Sequence, residues 1–352
     1  MHIEKLYHKQ FKYALPGIVE ALLGSLTPDR FEDFGIRHIN TYFDNVVNIL
    51  KNNNVYVGTQ YGSTGIELTD FLLTEPTDDT LFELYSSTFN KLPNNLQQQL
   101  RNRNDVILQD HQEVSYALNK HDDMRYASGE AFGIPIWLMS TIAQSSTHSF
   151  YMSPAPGLAM CLVNKPRKFR LDMLEELYQQ DLLDLTTWTL SVTLPINELD
   201  TSRITNWASF SSHPFVERFK DLLPKTMYIE HYRECVWLPQ QLTGSHQWYI
   251  SCETSDTVHF ATEKTFKAFL GCMAPLTVAP AGFNKHLEAM GFQLPGNYDH
   301  LDGIERIQAI AQIIKTDNTD YTDLIKHNYN LITDKQAISE LIVNRIIKEY
   351  KL

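Results

Sequence analysis

The feature that most constrains the fold of this chain is the alternation of short apolar runs with amphipathic helical segments. Each run breaks into a polar or glycine-bearing loop before a helical repeat follows. Because this order is typical of chains whose helices connect parallel strands, it predicts an α/β fold built on parallel sheets. The strand candidates are 55–58, 105–108, 159–163, 248–251 and 276–278.

Start and stop signals predict where the helices lie. Thr262 is a good N-cap and Gly271 a C-terminal stop, so we expect a helix between them. Its apolar face would carry Phe266, Phe269 and Leu270. We expect further helices at 170–183, 284–290 and 303–315, and a last one after 333–334. The expected apolar stripes of the first and third of these are Leu171, Leu174, Leu177 and Tyr178, and Ile304, Ile307, Ala311 and Ile314.

The length of the chain predicts two domains. Its 352 residues exceed the roughly 100–200 that are typical of one domain. We expect an N-terminal acceptor domain at 1–149 and a C-terminal donor domain at 150–332. A terminal helix at 333–352 would pack at the domain junction.

Charge and hydropathy narrow the classes of function. The net charge of −12 disfavours nonspecific binding to a phosphate backbone. No apolar run approaches the roughly 20 residues of a membrane span, since Pro135 interrupts the nearest, 134–143. None of the four cysteines forms a C-x-x-C pair, which fits a reducing compartment. We therefore expect a cytoplasmic protein (of the host cytoplasm if it is viral) with no membrane span.

The sequence Thr262-Glu263-Lys264 predicts an anion site at a helix start. A helix N-terminus carries a partial positive charge, and Lys264 adds a full one, which suits a pyrophosphate. Glu263 could accept hydrogen bonds from sugar hydroxyls. On spacing alone the alternative is that Thr262 only caps the helix, with Glu263 and Lys267 forming an exposed i,i+4 ion pair.

A second candidate anion site lies after the strand candidate at 159–163. Asn164 ends the strand, and four cations follow within six residues: Lys165, Arg167, Lys168 and Arg170. Arginine forks bind phosphate oxygens through two parallel hydrogen bonds, so this segment suits a phosphate group. The alternative is a solvated basic turn.

Both segments resemble one family of enzymes. Ser251-Cys252-Glu253-Thr254, followed by Ala261 to Ala268, resembles the donor-site signature of fucosyltransferase-like glycosyltransferases of the GT-B kind. Many bacteriophage and large-virus sugar transferases share this pair of motifs. The segment 162–170 resembles a Leu-Asn-Arg-x-Pro-Arg-x-His-Arg stretch of the phage-type enzymes, but Lys165 and Phe169 stand where Arg and His are usual.

The resemblance implies two Rossmann-like domains facing a cleft, with a C-terminal helix that crosses back. It implies transfer of a sugar from a nucleoside-diphosphate sugar to a hydroxyl acceptor, with no resident cofactor. Arg167, Arg170 and Lys264 would bind the diphosphate, and Glu263 a ribose or sugar hydroxyl. The other residues assigned to the donor site are Asn164, Glu253, Thr254, Thr262 and Lys267.

Two observations bear on the chemistry of transfer. The chain has no Asp-x-Asp and no H-E-x-x-H motif, so we expect a metal-independent reaction in which cationic side chains neutralise the leaving diphosphate. The transfer also needs a general base. Asp110, His111 and Glu113 follow the strand candidate at 105–108, where an α/β sheet presents functional side chains, and Glu113 or Asp110 is the first candidate.

The sequence leaves the acceptor open. One acceptor is a surface glycan, by analogy with fucosyltransferases. Another is 5-hydroxymethylcytosine in bacteriophage DNA, modified by a glucosyl- or arabinosyl-type transfer, although the negative net charge argues against DNA. A third interpretation is a sugar-nucleotide binding module without catalysis, which would require loss of the base or of Lys264.

Replacement of Glu113 tests the assignment of the base. Glu113→Gln should fold and bind the sugar nucleotide normally, yet turn over about 10²–10⁴-fold more slowly, because a general base contributes that much. Single-turnover kinetics with a labelled donor measure the chemical step. Asp110→Asn and His111→Gln are the matched comparisons. Unchanged turnover in Glu113→Gln would move the role to one of those residues.

Overall fold

The computed structural model describes residues 82–85, 89, 92–103, 106–109, 125–127, 148–163, 166–190, 212–226, 238, 240–253, 259, 261–334, 336–338, 340 and 341. The chain divides into two compact units, residues 1–136 with 335–352 and residues 137–334. The strand candidate at 55–58 lies outside the described residues. The domain limits, the crossing terminal helix and the GT-B arrangement stay predictions.

The described part of the first unit contains a small parallel sheet. Its strands are β1 (Phe82–Tyr85), β2 (Val106–Gln109) and β3 (Arg125–Ala127), with β2 in the middle. Both pairings are parallel. Helix α1 (Asn94–Arg101) lies between β1 and β2 in sequence, so this segment is a strand–helix–strand unit. The strand predicted at 105–108 is therefore present, shifted by one residue.

The second unit carries a four-stranded parallel sheet with helices between its strands. The strands are β4 (Gly157–Val163), β5 (Thr186–Leu190), β6 (His246–Cys252) and β7 (Ala274–Val278). The helices are α2 (Lys168–Gln179), α3 (Pro214–Phe219), α4 (Glu263–Leu270), α5 (Phe283–Glu288), α6 (Gly303–Thr316) and α7 (Thr322–Thr333). The α/β prediction is confirmed for the described parts of both units. No helix in those parts combines the length and apolar character needed to cross a membrane.

The order of these strands creates a crevice at one edge of the sheet. The order is β5-β4-β6-β7, and every pair is parallel. From β4 the chain runs through α2 to β5 on one side, and it later returns to β6 on the other side of β4. Such a reversal opens a crevice beyond the carboxyl ends of the two central strands, where α/β proteins commonly bind ligands.

Alternation along β6 assigns the helices to two faces. Trp248, Ile250 and Cys252 belong to the hydrophobic core that includes α2 and α6. Successive strand residues point to opposite faces, so Ser251 points away from that core. Its hydroxyl lies 3.0 Å from Thr265 Oγ1 of α4. Helix α4 therefore covers the face opposite to α2 and α6.

The structure corrects two predicted helix faces. Tyr178 is exposed, whereas Phe169 and Met173 are buried in α2. In α6, Ile304 is 52% exposed, whereas Arg306 is completely buried. Periodicity fails at both positions because it ranks residues by hydropathy, and an arginine with enough acceptors around it can occupy the buried face.

Arg306 is the centre of a hydrogen-bond network at the carboxyl end of β7. Its Nε donates to the Thr277 carbonyl at 2.8 Å, and its guanidinium pairs with Asp299 Oδ1 at 3.3 Å. It also donates to Asn284 Oδ1 at 2.8 Å, while Asp299 accepts the Asn284 backbone N–H at 2.7 Å. The arginine thus ties β7, the start of α5 and the segment before α6 into one rigid corner.

Replacement of Arg306 tests this corner. Arg306→Met should lower the free energy of unfolding by about 3 kcal/mol, because the buried acceptors of Thr277 and Asn284 and the partly buried Asp299 carboxylate lose their partner. Urea unfolding followed by tryptophan fluorescence is the measurement. All five tryptophans lie in residues 137–334, so the signal reports this unit alone.

Lys315→Met, an exposed change in the same helix, is the control and should cost less than about 0.5 kcal/mol. Equal stability of the two variants would show that the corner does not depend on the arginine.

Candidate functional site

The strand order brings together the two motifs that the sequence assigns to the donor. Helix α2 begins at Lys168 just after β4, and α4 begins at Glu263 after β6. β4 and β6 are neighbours, so both helix starts lie beyond the carboxyl ends of adjacent parallel strands. A hydrogen bond joins residues 170 and 253 of the two segments, although they are 83 positions apart in the sequence.

A buried carboxylate fixes the start of α4. Glu253 follows β6 and is 1% exposed. Its Oε1 accepts the Thr262 backbone N–H at 3.1 Å and the Thr265 hydroxyl at 2.5 Å, and its Oε2 accepts the Thr262 hydroxyl at 2.6 Å. We call this set of bonds the Glu253 clamp. The clamp is a physical reason for the glutamate in the segment 251–254 and for the threonines in the segment 261–268.

The Glu253 clamp limits which groups at the helix start could bind a ligand. Thr262 Oγ1 also accepts the Lys264 backbone N–H at 3.3 Å, which confirms Thr262 as the N-cap. Two backbone N–H groups at the helix start are therefore already bonded within the chain. An anion at this position would consequently depend on cationic side chains more than on helix N–H groups.

Glu263 and Lys264 are the first two residues of α4, next to the Glu253 clamp. Lys264 Nζ lies 2.7 Å from Glu263 Oε1 and 3.2 Å from Thr262 Oγ1. The side chain of Glu263 is 3% exposed and that of Lys264 19%. Glu263 Oε2 is buried and has no hydrogen-bond partner in the part of the chain that the structure describes. A buried carboxylate oxygen without a donor is costly, so this atom is suited to accept a hydroxyl.

Arg170 of α2 reaches the same place, and Arg167 is the residue just before that helix. Arg170 is 3% exposed and donates from its guanidinium to the Glu253 carbonyl at 2.8 Å. Burial and, secondarily, repulsion from Arg167 lower the pKa of Arg170 to about 10, while Glu253 and Glu263 act in the opposite direction. Arg170 is thus still a cation at neutral pH. The hydrogen bond from Arg170 to the Glu253 carbonyl joins the basic segment to the end of β6.

The structure contradicts one part of the alternative interpretation of the α4 motif, the exposed ion pair. Glu263 and Lys267 are both buried, with Lys267 1% exposed. They are therefore not an exposed ion pair on a solvated helix face. Among the cations of the basic segment, Arg170 is buried, whereas Lys168 is exposed and pairs with Asp172.

Several predicted site residues lie outside the described residues. These are Asn164 and Thr254 of the donor motifs and the base candidates Asp110, His111 and Glu113. The structure brings together Arg167, Arg170, Glu253, Thr262, Glu263 and Lys264. In the described part of the chain, no group of three or more His, Cys, Asp or Glu side chains is arranged to hold a metal ion.

A cavity of about 210 Å³ lies at the opposite edge of the sheet, beside the start of β6. His246 lines it, and burial lowers the pKa of His246. Asp320 is the one carboxylate among its described lining residues, which include no lysine or arginine. This lining does not suit a phosphate, so the crevice at the carboxyl edge is the better candidate for an anionic ligand.

His259 was missed by the sequence analysis although it lies between the two halves of the donor motif. Its Nε2 is 2.6 Å from the Ala281 carbonyl, in the turn that precedes α5. Gly282 in this turn has φ +86°, and a Cβ there would lie 3.1 Å from the imidazole. The close approach explains the glycine, but no spacing rule links positions 259 and 282.

Comparison with known protein families, with curated proteins and with solved structures finds no match.

Replacement of Thr265 tests the Glu253 clamp. Thr265→Val keeps the shape of the side chain but removes its bond to Glu253, and should lower the free energy of unfolding by about 1–3 kcal/mol. Tryptophan-detected urea unfolding again measures the effect.

Thr316→Val is the control, because Thr316 is exposed and its hydroxyl bonds only to the helix that carries it. A loss in Thr265→Val no larger than in Thr316→Val would contradict a clamp that depends on this hydroxyl.

Proposed function

We propose that the chain is a glycosyltransferase of the GT-B kind, which moves a sugar from a nucleoside-diphosphate sugar to a hydroxyl acceptor. The observation that carries the proposal is the meeting of Arg170, Glu263 and Lys264 at the reversal of strand order. Lys264 is 2.7 Å from Glu263, and Arg170 interacts electrostatically with the same carboxylate. Cations beside a buried hydroxyl acceptor match a ligand that joins a diphosphate to sugar rings.

The cations would act on the leaving group. As the bond between the sugar and the diphosphate breaks, negative charge develops on the phosphate oxygens. Lys264, Arg170 and Arg167 stabilise that charge where burial strengthens electrostatic interactions. The Glu253 clamp keeps the helix start in place, so that little reorganisation is needed during the reaction. The transfer proceeds without an essential metal ion.

The acceptor hydroxyl belongs to a glycan or to hydroxymethylated DNA. Glu113 or Asp110 removes its proton, with His111 as the third candidate, and the oxygen then attacks the anomeric carbon of the donor.

Donor binding tests the proposal directly. The wild-type protein should bind UDP or GDP in calorimetry with a chelator present. Lys264→Ala should weaken that binding about 10- to 100-fold, because a hydrogen bond to a charged group contributes about 1.5–3 kcal/mol.

Lys168→Ala is the matched control, since Lys168 belongs to the basic segment but is 77% exposed and pairs with Asp172. The control should bind like the wild type. If no nucleoside diphosphate binds to the wild type, the proposed function is wrong. If Lys264→Ala binds as tightly as the wild type, the helix start has a structural role only.

A further inference from the structure

The ammonium group of Lys264 already has a partner that a diphosphate would have to replace. It lies 2.7 Å from Glu263 Oε1, at the distance of a strong charge-assisted hydrogen bond. Lys264 Nζ also lies 3.2 Å from Thr262 Oγ1. A phosphate that takes the ammonium therefore takes it from a carboxylate.

Glu263 depends on that ammonium more than a surface carboxylate would. Its side chain is 3% exposed, and Oε2 has no hydrogen-bond partner in the described part of the chain. Neighbouring Glu253 differs, because three donors from Thr262 and Thr265 satisfy its carboxylate. If Lys264 moved away, Glu263 would be left as a buried charge with fewer donors, which is strongly unfavourable.

We propose that ligand binding exchanges the partners of this pair. Lys264 moves from Glu263 to the diphosphate, and Glu263 accepts hydroxyl groups from a sugar ring of the same ligand. The inference rests on the proposed function and adds a mechanism of selection to it. The diphosphate and the sugar ring are recognised cooperatively, because binding the first creates the need for the second.

The exchange makes the site discriminate against a bare diphosphate. Inorganic pyrophosphate can take the lysine but offers no hydroxyl of a sugar ring to Glu263. A sugar nucleotide offers both. The Glu263 carboxylate therefore weakens the binding of pyrophosphate and strengthens the binding of the sugar nucleotide. One residue thus has opposite effects on the affinities of two ligands.

The test measures both effects in Glu263→Gln. Calorimetry is run with inorganic pyrophosphate, UDP-glucose and GDP-mannose, on the wild type and on the variant. Pyrophosphate should bind about 3- to 10-fold more tightly to Glu263→Gln, because the lysine is released from its carboxylate. The sugar nucleotide that binds the wild type better should bind about 10-fold more weakly, because a charged acceptor of its hydroxyls is lost.

The control separates the exchange from the general effect of removing a negative charge. Glu288→Gln removes one carboxylate from the exposed surface of α5 and should change neither affinity. If Glu263→Gln fails to fold, judged by its tryptophan-detected melting, Glu263→Ala replaces it. The alanine variant requires no partner for a buried amide, and the same opposite changes are expected.

Two outcomes would overturn the exchange. One is that both ligands change affinity in the same direction in Glu263→Gln, and the other is that neither changes. The proposed function survives either outcome, provided that the wild type binds a sugar nucleotide. Failure of the wild type to bind any of the sugar nucleotides instead contradicts the proposed function itself, and the exchange with it.

Discussion

The buried carboxylate of Glu253 is the interaction on which the candidate site depends. A carboxylate that is 1% exposed must be satisfied by donors, and Thr262 and Thr265 supply them from the next element of the chain. This need joins the end of β6 to the start of α4. It also decides which way the first turn faces, because Glu263 and Lys264 are the residues between the two threonines. The Glu253 clamp thus has a structural role, because it holds in place Glu263 and Lys264, the residues to which we assign a chemical role.

The parallel sheet supplies the other half of the site. Because β4 and β6 are neighbours, the segment after each strand emerges at the same edge, and Arg170 can reach the Glu253 carbonyl at 2.8 Å. At the next strand along the sheet, Arg306 holds the carboxyl end of β7 through a separate network. Hydrogen bonds from buried side chains therefore connect the carboxyl ends of β6 and β7 with the segments that follow them, at the edge where the ligand would bind.

The charges at this edge are arranged in pairs of opposite sign. Lys264 Nζ lies 2.7 Å from Glu263 Oε1, and Glu263 retains one oxygen without a hydrogen-bond partner among the described residues. Such a group is expensive to bury, and proteins keep it mainly where a ligand or a reaction uses it. The free-energy cost of burying this oxygen is therefore the reason to connect this part of the fold with the proposed chemistry. In the proposed exchange, the same cost would let a single carboxylate select between ligands that share a diphosphate.

The sequence by itself determined the features that depend on neighbours along the chain. Thr262 and Gly271 predicted the limits of α4, because caps and stops act within one turn. Alternating strands and helices predicted the α/β class for the same reason. It did not reveal β5, whose Thr-rich segment carries little hydropathy signal, or the burial of Arg306. Only the tertiary structure decided that Glu253 binds the helix start, that Glu263 and Lys267 are buried, and that Arg170 donates to the Glu253 carbonyl. These facts depend on which strands become neighbours. Local propensity describes only residues that are close in sequence, so it cannot predict contacts between residues that are distant in sequence.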